Sequence, residues 1–399
     1  MFIDRKLAIE LKKAFSVYSV VTLIGPRQSG KSTLVKETFP HMPYVNLESP
    51  NQLAIIKADP AAFIHKYKDG AIIDEVQNYP ELLSYIQVYV DEQKRNSLFV
   101  LTGSHQFALH EAISQSLAGR TAVLHLLPLS IEELAKEPAT IDLDSLLLKG
   151  FYPRCYEYPI EPYRFYEDYL KTYLERDVRK LINIKDMLLF QNFIKLCANR
   201  VGQVLNQQSM ANDLGISGTT INQWISILEA SFVIVRLKPY FENLGKRIIK
   251  SPKLYFVDVG LAAHLNDIES QAQLQRDSLK GALVENLVVM ELFKNRYNQG
   301  RSANFYFFRD NHQNEVDIIY KSGNDLIPIE VKSSHTFNEL FLKGLKYFHA
   351  LAPQRIHTGY LLYSGDIEQK IHNFQLLNIR NLDQIFTNID TDKNLNNDS

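Results

Sequence analysis

An eight-residue stretch near the N-terminus, GPRQSGKS at 25–32, has the residue types and spacing of a phosphate-binding loop. It follows a buried apolar strand and opens a helix at Lys31, which is the context that this motif requires. Gly25 and Gly30 let the backbone curl so that its N–H groups point at phosphate oxygens. We expect Lys31 to neutralise the β- and γ-phosphates of ATP and Ser32 to ligate Mg²⁺.

Polar residues at the ends of two later strands complete this predicted site. The strand AIIDE ends in Asp74, which would hold Mg²⁺ through water, and Glu75, which would polarise the attacking water. The alternative is that both acids only cap the strand end or form salt bridges. The strand LFVLTGS brings Thr102 or Ser104 to the γ-phosphate as a sensor, or ends in a simple turn. The predicted nucleotide contacts are Gly25, Pro26, Arg27, Gln28, Ser29, Gly30, Lys31, Ser32, Thr33 and Ser104.

Arg120, in the stretch SLAGR at 116–120, lies well past the second of these strands. It would reach the nucleotide of a neighbouring subunit as an arginine finger in a homo-oligomer, or it is a surface or salt-bridge residue. The sequence leaves both interpretations open.

A second set of charged residues, near the other end of the chain, has the order of a metal-dependent nuclease site. Glu285 lies between apolar neighbours in the helical stretch GALVENLVVMELFKN, where a charge is costly unless it faces a metal or a positive partner. Asp317 follows in EVDIIY, and Glu330 and Lys332 lie on one face of the strand IPIEVK. Such carboxylates hold Mg²⁺ against a phosphodiester while a lysine stabilises charge. A hairpin with a solvated charged face is the alternative.

Five regions are predicted to position these residues. Strands and helices alternate over 1–135, which predicts a parallel α/β sheet, and 136–185 has the helical periodicity of a lid or connector. Helix-turn-helix and strand patterns follow over 186–262, and helix and strand patterns over 263–387. The polar tail 388–399 is expected to be disordered.

A helix-turn-helix is predicted around Gly215, which suits the turn, and Ser217, which suits the N-cap of the second helix. Short polar side chains of that helix would face a DNA major groove, and basic side chains of a following wing would track phosphates. These residues are Thr219, Thr220, Asn222 and Gln223 in the helix and Lys246, Arg247 and Lys250 in the wing. Packing between domains or against a protein partner is the other interpretation.

Composition excludes several classes of protein. The formal net charge of the 399 residues is −1, so any surface for nucleic acid must be local. Cys155 and Cys197 lie far apart, which fits neither a disulfide framework nor a zinc site. No uncharged apolar run approaches the roughly 20 residues needed to span a bilayer. We expect a cytoplasmic protein with no membrane partner.

These motifs resemble those of prokaryotic AAA-type ATPases with a C-terminal domain of unknown function, number 4143. The similar stretches are GPRQSGKS, IIDEVQNYPELL, LTGSHQFALHEAISQSLAGR and LLPLSIEEL, and then YLERDVRKL, SPKLYFVDVGL and GALVENLVVMEL. Over nearly the whole chain except the tail, the resemblance implies an α/β fold: a P-loop AAA-type ATPase domain with a helical lid, a winged helix-turn-helix and a restriction-endonuclease-like domain.

The same resemblance implies roles for the C-terminal residues, whose order is similar to the core of PD-(D/E)xK nucleases. Glu285, Asp317 and Glu330 would be metal ligands, and Lys332 would be the catalytic base or stabiliser. The chain departs from the motif at one position, because Val316 stands where the motif has proline.

The leading hypothesis from the sequence is a Mg²⁺-dependent ATPase that couples ATP binding and hydrolysis to a DNA-directed C-terminal half with a nuclease-like site. The competing hypothesis is a regulatory or chaperone-like switch whose C-terminal half binds protein. A transcription factor with a vestigial P-loop is a third hypothesis, and the intact Lys31, Asp74 and Glu75 argue against it.

Overall fold

The computed structural model describes residues 3–104, 116–134, 142–174, 187–241 and 249–389. The strands are β1 (Val20–Ile24), β2 (Tyr44–Asn46), β3 (Ala71–Asp74), β4 (Phe99–Gly103), β5 (Thr121–His125), β6 (Ile234–Pro239), β7 (Lys253–Phe256), β8 (Phe305–Arg309), β9 (Glu315–Ser322), β10 (Asp325–Lys332), β11 (Gly359–Tyr363), β12 (Gln369–Ile371) and β13 (Phe374–Asn378).

The α-helices divide into two sets around the middle of the chain. The first set is α1 (Leu7–Val17), α2 (Lys31–Thr38), α3 (Pro50–Ala58), α4 (Pro60–Lys66), α5 (Leu82–Gln93), α6 (Ile131–Leu134), α7 (Leu143–Lys149), α8 (Arg154–Glu157) and α9 (Pro162–Tyr169). The second set is α10 (Met187–Asn199), α11 (Gln207–Leu214), α12 (Gly218–Ala230), α13 (Val259–Leu265), α14 (Gln271–Leu274), α15 (Lys280–Asn298) and α16 (Lys343–Leu351).

The N-terminal sheet has five parallel strands in the order β2-β3-β4-β1-β5. Every residue of β1, β3 and β4 is buried, because helices cover both faces of the sheet. The predicted parallel α/β sheet and the predicted start of a helix at Lys31 are confirmed. Since the carboxyl ends of parallel strands meet at one edge, the phosphate-binding loop and the strand-end acids lie side by side.

The middle of the chain forms helices α10, α11 and α12 followed by the antiparallel pair β6 and β7. Gly215 adopts a left-handed φ of 67° at the turn between α11 and α12, and the Ser217 hydroxyl accepts the Thr220 N–H at 3.1 Å. The predicted turn and N-cap are therefore confirmed. The wing residues Lys246 and Arg247 lie outside the described residues.

The C-terminal sheet is mixed and has eight strands in the order β12-β13-β11-β10-β9-β8-β6-β7. Strand β6 pairs with β7 and also, in parallel, with β8, so one sheet crosses the predicted boundary at residue 263. The hairpin β9–β10 lies in its centre with both faces covered, one of them by α16. Glu330 is consequently only 8% exposed, and the alternative of a solvated hairpin face is wrong.

No helix within the described part of the chain is long and apolar enough to cross a membrane. The predicted tail lies almost entirely outside the described residues, as does the part 175–181 of the stretch YRFYEDYLKTYLERDVRKL at 163–181.

Candidate nucleotide site and C-terminal charge cluster

Two glycines and a buried arginine shape the phosphate-binding loop. A Cβ on Gly25 would lie 2.1 Å from the Leu126 carbonyl oxygen, so glycine alone fits there. Gly30 adopts a left-handed φ of 91° directly before α2. Arg5 supports the loop from behind, because its Nη1 donates to the Ser29 carbonyl at 2.7 Å. Nothing in the sequence motif indicated Arg5, which comes from outside it.

The Lys31 ammonium lies over the loop itself. Its Nζ donates to the carbonyl oxygens of Gly25 at 3.0 Å and Pro26 at 2.7 Å. Burial lowers the pKa of Lys31 to about 8, although the nearby Glu75 and Asp74 carboxylates act to raise it. A phosphate group would add the negative charge that favours the ammonium form.

Asp74 is the centre of a hydroxyl cluster at the end of β3. It accepts the Ser32 hydroxyl at 2.7 Å, so the two residues predicted to hold Mg²⁺ contact each other. The hydroxyls of Tyr44 and Thr102 also donate to this carboxylate. Burial, followed by the bond to Asp74, raises the pKa of Tyr44. Tyr44 lies outside the sequence motifs and approaches from the neighbouring strand β2.

Glu75 adopts the left-handed conformation, with a φ of 56°, which turns its side chain out of the strand direction. The Gln77 amide and the Ser104 hydroxyl, the latter at 3.2 Å, donate to its carboxylate. Its backbone N–H donates to the Thr102 hydroxyl at 3.1 Å. Thr102 and Ser104 therefore contact Asp74 and Glu75 at the end of β3, and a γ-phosphate-sensing role for them stays a prediction.

A cleft of about 570 Å³ opens above the loop and has two walls. The first wall consists of Arg27, Gln28, Gly30, Lys31, Ser32, Thr33, Glu48 and Glu75. The second consists of Pro153, Arg154, Glu157, Tyr158 and Thr172, from the helical segment that follows the sheet. Arg154 is thus a third cation at this cleft, after Arg27 and Lys31, and no residue pattern in the loop motif pointed to it.

Arg120 makes a bidentate ion pair within its own subunit. Its Nε lies 2.5 Å from Asp91 Oδ1 and its Nη2 lies 2.8 Å from Asp91 Oδ2, on α5. The observed contact is thus the one that the salt-bridge interpretation describes. The arginine-finger role requires a second subunit and stays a prediction.

The C-terminal acids and lysine lie close together. The Lys332 Nζ is 2.6 Å from Glu330 Oε1 and 3.6 Å from Asp317 Oδ2. Asp317 Oδ2 also accepts the Val331 N–H at 2.9 Å, which fixes β9 against β10. Burial, together with the Asp317 charge, raises the pKa of Glu330 to about 8.

Lys253, which the sequence did not single out, joins Glu285 to this group. Its Nζ lies 2.9 Å from Glu285 Oε1 and 2.6 Å from Glu315 Oε1. Burial alone would lower the pKa of Lys253, but the surrounding carboxylates, Glu285 first, hold it well above its ordinary value. Within the described ranges, no three His, Cys, Asp or Glu side chains are arranged to hold a metal ion. The metal-ligand roles of Glu285, Asp317 and Glu330 stay predictions.

Three family models match consecutive parts of the chain. Residues 17–135 match the AAA domain, 140–272 a domain of unknown function (DUF8612), and 280–382 a domain of unknown function (DUF4143). The chain is a P-loop ATPase with an AAA domain and a C-terminal DUF4143 domain. ATP is the ligand of the AAA domain. The stretches YLERDVRKL and SPKLYFVDVGL lie in the DUF8612 match rather than in DUF4143, so only GALVENLVVMEL of the three belongs where the resemblance put it.

The similar curated proteins are uncharacterised. One from Mycobacterium tuberculosis is 29% identical over 84% of this chain and 75% of its own length, and one from Haemophilus influenzae is 22% identical over 78% and 82%. The Walker-type ATPase of Pyrococcus abyssi is 16% identical over 66% of this chain and 96% of its own, with a TM-score of 0.46. AMPPCP-bound DnaA from Aquifex aeolicus is 14% identical over 56% and 85%, with a TM-score of 0.29. Both structural likenesses are weak.

Replacing Arg154 with alanine should weaken ATP binding to the AAA domain. A hydrogen bond from a charged group contributes roughly 1.5–3 kcal/mol, so we expect the Kd for ATP to rise roughly 10- to 100-fold. Titration with a fluorescent ATP analogue measures this change. Arg164→Ala is the matched control, because Arg164 is exposed on α9 and pairs with Asp168 outside the cleft. Equal Kd values for the two variants would contradict the assignment.

Proposed function

We propose that this ATPase uses its nucleotide cycle to control DNA binding by its C-terminal half. The observation that carries the proposal is a groove of about 600 Å³ along the β6, β8 and β9 part of the C-terminal sheet. Its lining includes four cations and three aromatic side chains: Arg236, Lys238, Lys250 and Lys321, with Tyr240, Phe241 and Tyr306. Glu229 is the one acid among the described residues of this lining, and Arg236 pairs with it.

The groove has the chemistry of a nucleic-acid path. Lysines follow a phosphate backbone, and aromatic faces stack on bases. The backbone pairing of Lys238 with Tyr306 fixes β6 beside β8, which places a cation next to a ring. Phe241 is 55% exposed, so its ring is accessible for stacking, whereas Tyr240 is only 2% exposed.

The helix-turn-helix lies next to the groove and supports the same proposal. Helix α12 presents Thr219, Asn222 and Gln223 to solvent, as a winged helix would present them to a major groove. Thr220 differs from the prediction in one respect. Its hydroxyl lies 2.8 Å from that of Ser217, so it belongs to the helix cap and is half-buried.

Contacts between the segment that follows β5 in the AAA domain and the DUF4143 helix α15 provide a route for coupling. The Lys294 Nζ donates to the Leu129 carbonyl at 2.8 Å, and Glu291 accepts the Ile131 N–H at 2.8 Å. The same ammonium lies 3.7 Å from the centroid of the Phe151 ring, three residues before Arg154 in the nucleotide cleft. ATP-driven movement of the segment around Arg154 would therefore reach α15.

Replacing Lys238 and Lys250 together with alanine should weaken DNA binding and reduce its salt dependence. Each lysine that no longer neutralises a phosphate lowers the slope of log K against log salt by about 0.9, so we expect a reduction of about 2. Fluorescence anisotropy with labelled DNA at several salt concentrations, with and without ATP, measures both quantities. Lys12→Ala/Lys13→Ala is the matched control, because both lysines are exposed on α1, far along the chain from the groove.

The competing function is a regulatory or chaperone-like switch whose C-terminal half binds protein. An unchanged salt slope in the groove variant, or no DNA binding by the wild type, would favour this switch. ATP hydrolysis would persist in either case, since the AAA domain does not depend on the groove lysines.

A further inference from the structure

The carboxylates of the C-terminal cluster surround a lysine. Lys253 is 2% exposed, and its Nζ contacts Glu285 and Glu315 at 2.9 and 2.6 Å, with Asp317 Oδ1 3.9 Å away. Contacts this short are charge-assisted hydrogen bonds, which fix the ammonium among the acids. Tyr255, two residues further along β7, donates to the same oxygen of Glu285 at 2.5 Å.

A second ammonium closes the other side of the cluster. Lys332 lies 2.6 Å from Glu330 and 3.6 Å from the second oxygen of Asp317, so each Asp317 oxygen faces a lysine. A divalent cation needs several oxygen ligands that are not already held by other cations. The residues present therefore do not fit the Mg²⁺ that a PD-(D/E)xK nuclease requires.

We propose that Lys253 is the resident cation of this cluster, in place of a divalent metal, and that the cluster fastens β7 to α15 and β9. The three contacts bridge the DUF8612 and DUF4143 matches, because Lys253 belongs to the first and its acidic partners belong to the second. Charge balance supports this role, since a buried carboxylate without a partner is costly. The role of Lys253 needs neither ATP nor DNA, so it stands or falls separately from the proposed function.

Manganese titration of the full chain without nucleotide, followed by electron paramagnetic resonance, tests the role of Lys253. The wild type and the Asp317→Asn variant should bind the same amount of Mn²⁺, because Asp317 holds no metal in the wild type. Lys253→Met keeps the apolar stem and removes the charge, so this variant should bind about one equivalent of Mn²⁺. The double variant Lys253→Met/Asp317→Asn should lose that binding. If Lys253→Met fails to fold, Lys253→Gln takes its place.

Lys294→Met is the matched control, because Lys294 is equally buried in the same fold but pairs with Glu291 away from the cluster. It should gain no Mn²⁺. A wild-type protein that binds Mn²⁺ through Asp317 would overturn the proposal and restore a metal site. Folded Lys253 variants that bind no Mn²⁺ would also overturn the proposal, because they would show that Lys253 is not what keeps a divalent metal out of the cluster.

Discussion

Replacing Glu75 with glutamine should lower kcat for ATP hydrolysis by roughly 10²- to 10⁴-fold, the range expected when a general base is removed. Glutamine has the shape of glutamate but cannot take a proton from the attacking water. The backbone of residue 75 should keep its left-handed turn, because its N–H bond to Thr102 does not involve the side chain. Phosphate release under saturating ATP measures kcat.

ATP binding should survive this substitution, because the phosphate-binding loop and Lys31 do not rely on the Glu75 carboxylate for their hydrogen bonds. The variant should therefore hold ATP without turning it over. Glu92→Gln, an identical change on the exposed end of α5, is the control and should leave kcat unchanged. A Glu75→Gln variant that hydrolyses ATP at the wild-type rate would show that another group activates the water.

The nucleotide site could be predicted from the sequence because most of its parts are local. One continuous loop supplies the phosphate contacts, and apolar strands that end in polar residues mark the acids. Arg5, Tyr44 and Arg154 were missed for a common reason. Each comes from an element whose position beside the loop is set by tertiary packing, and no spacing along the chain encodes it.

The C-terminal cluster illustrates a different limit. The order of Glu285, Asp317 and Glu330 correctly indicated that they would meet, and the apolar surroundings of Glu285 indicated a partner. The partner's identity could not be predicted, because Lys253 lies in a strand of the preceding region that joins the same sheet. Alternation along β10 also suggested one exposed face, yet α16 covers that face.

The continuous C-terminal sheet has a mechanical consequence for coupling. Strand β7 carries Lys253 and is followed directly by α13, which contacts the segment that lines the nucleotide cleft. Under the proposed function, a shift of that segment on ATP binding would act on β7 and, through the sheet, on the groove beside β6. Separate domains joined by flexible linkers would transmit much less.

Removing Asp258 should lower the stability of the fold strongly, because its carboxylate joins α13 to the segment that leads into the nucleotide cleft. Its carboxylate is fully enclosed and accepts the Phe151 N–H at 2.7 Å, the Tyr166 hydroxyl at 2.5 Å and the Leu261 N–H at 3.2 Å. Gly150 lies against this group, where a Cβ would come within 2.3 Å of Asp258 Oδ1. Burial raises the pKa of Asp258 although these donors favour its charged form.

Asp258→Ala should lower the free energy of unfolding by about 3–5 kcal/mol, because each buried donor left without an acceptor costs about 1–3 kcal/mol. Urea unfolding measures the change. Tyr166→Phe removes a single donor and should cost only about 1 kcal/mol. Asp213→Ala removes a surface ion pair with Arg200 and should cost less than about 1 kcal/mol.

Asp258→Ala should also weaken ATP binding in the fraction that folds, since Phe151 precedes Arg154 by three residues and loses its anchor. Tyr166→Phe, which leaves the hydrogen bond to Phe151 intact, should bind ATP like the wild type. Equal unfolding free energies for Asp258→Ala and Asp213→Ala would refute the idea that Asp258 holds the second wall of the cleft in place. The unfolding free energy reports general loss of the fold, and the Kd for ATP reports loss of the anchor. The hydrogen bond from Phe151 to Asp258 is that anchor, because Phe151 lies three residues before Arg154.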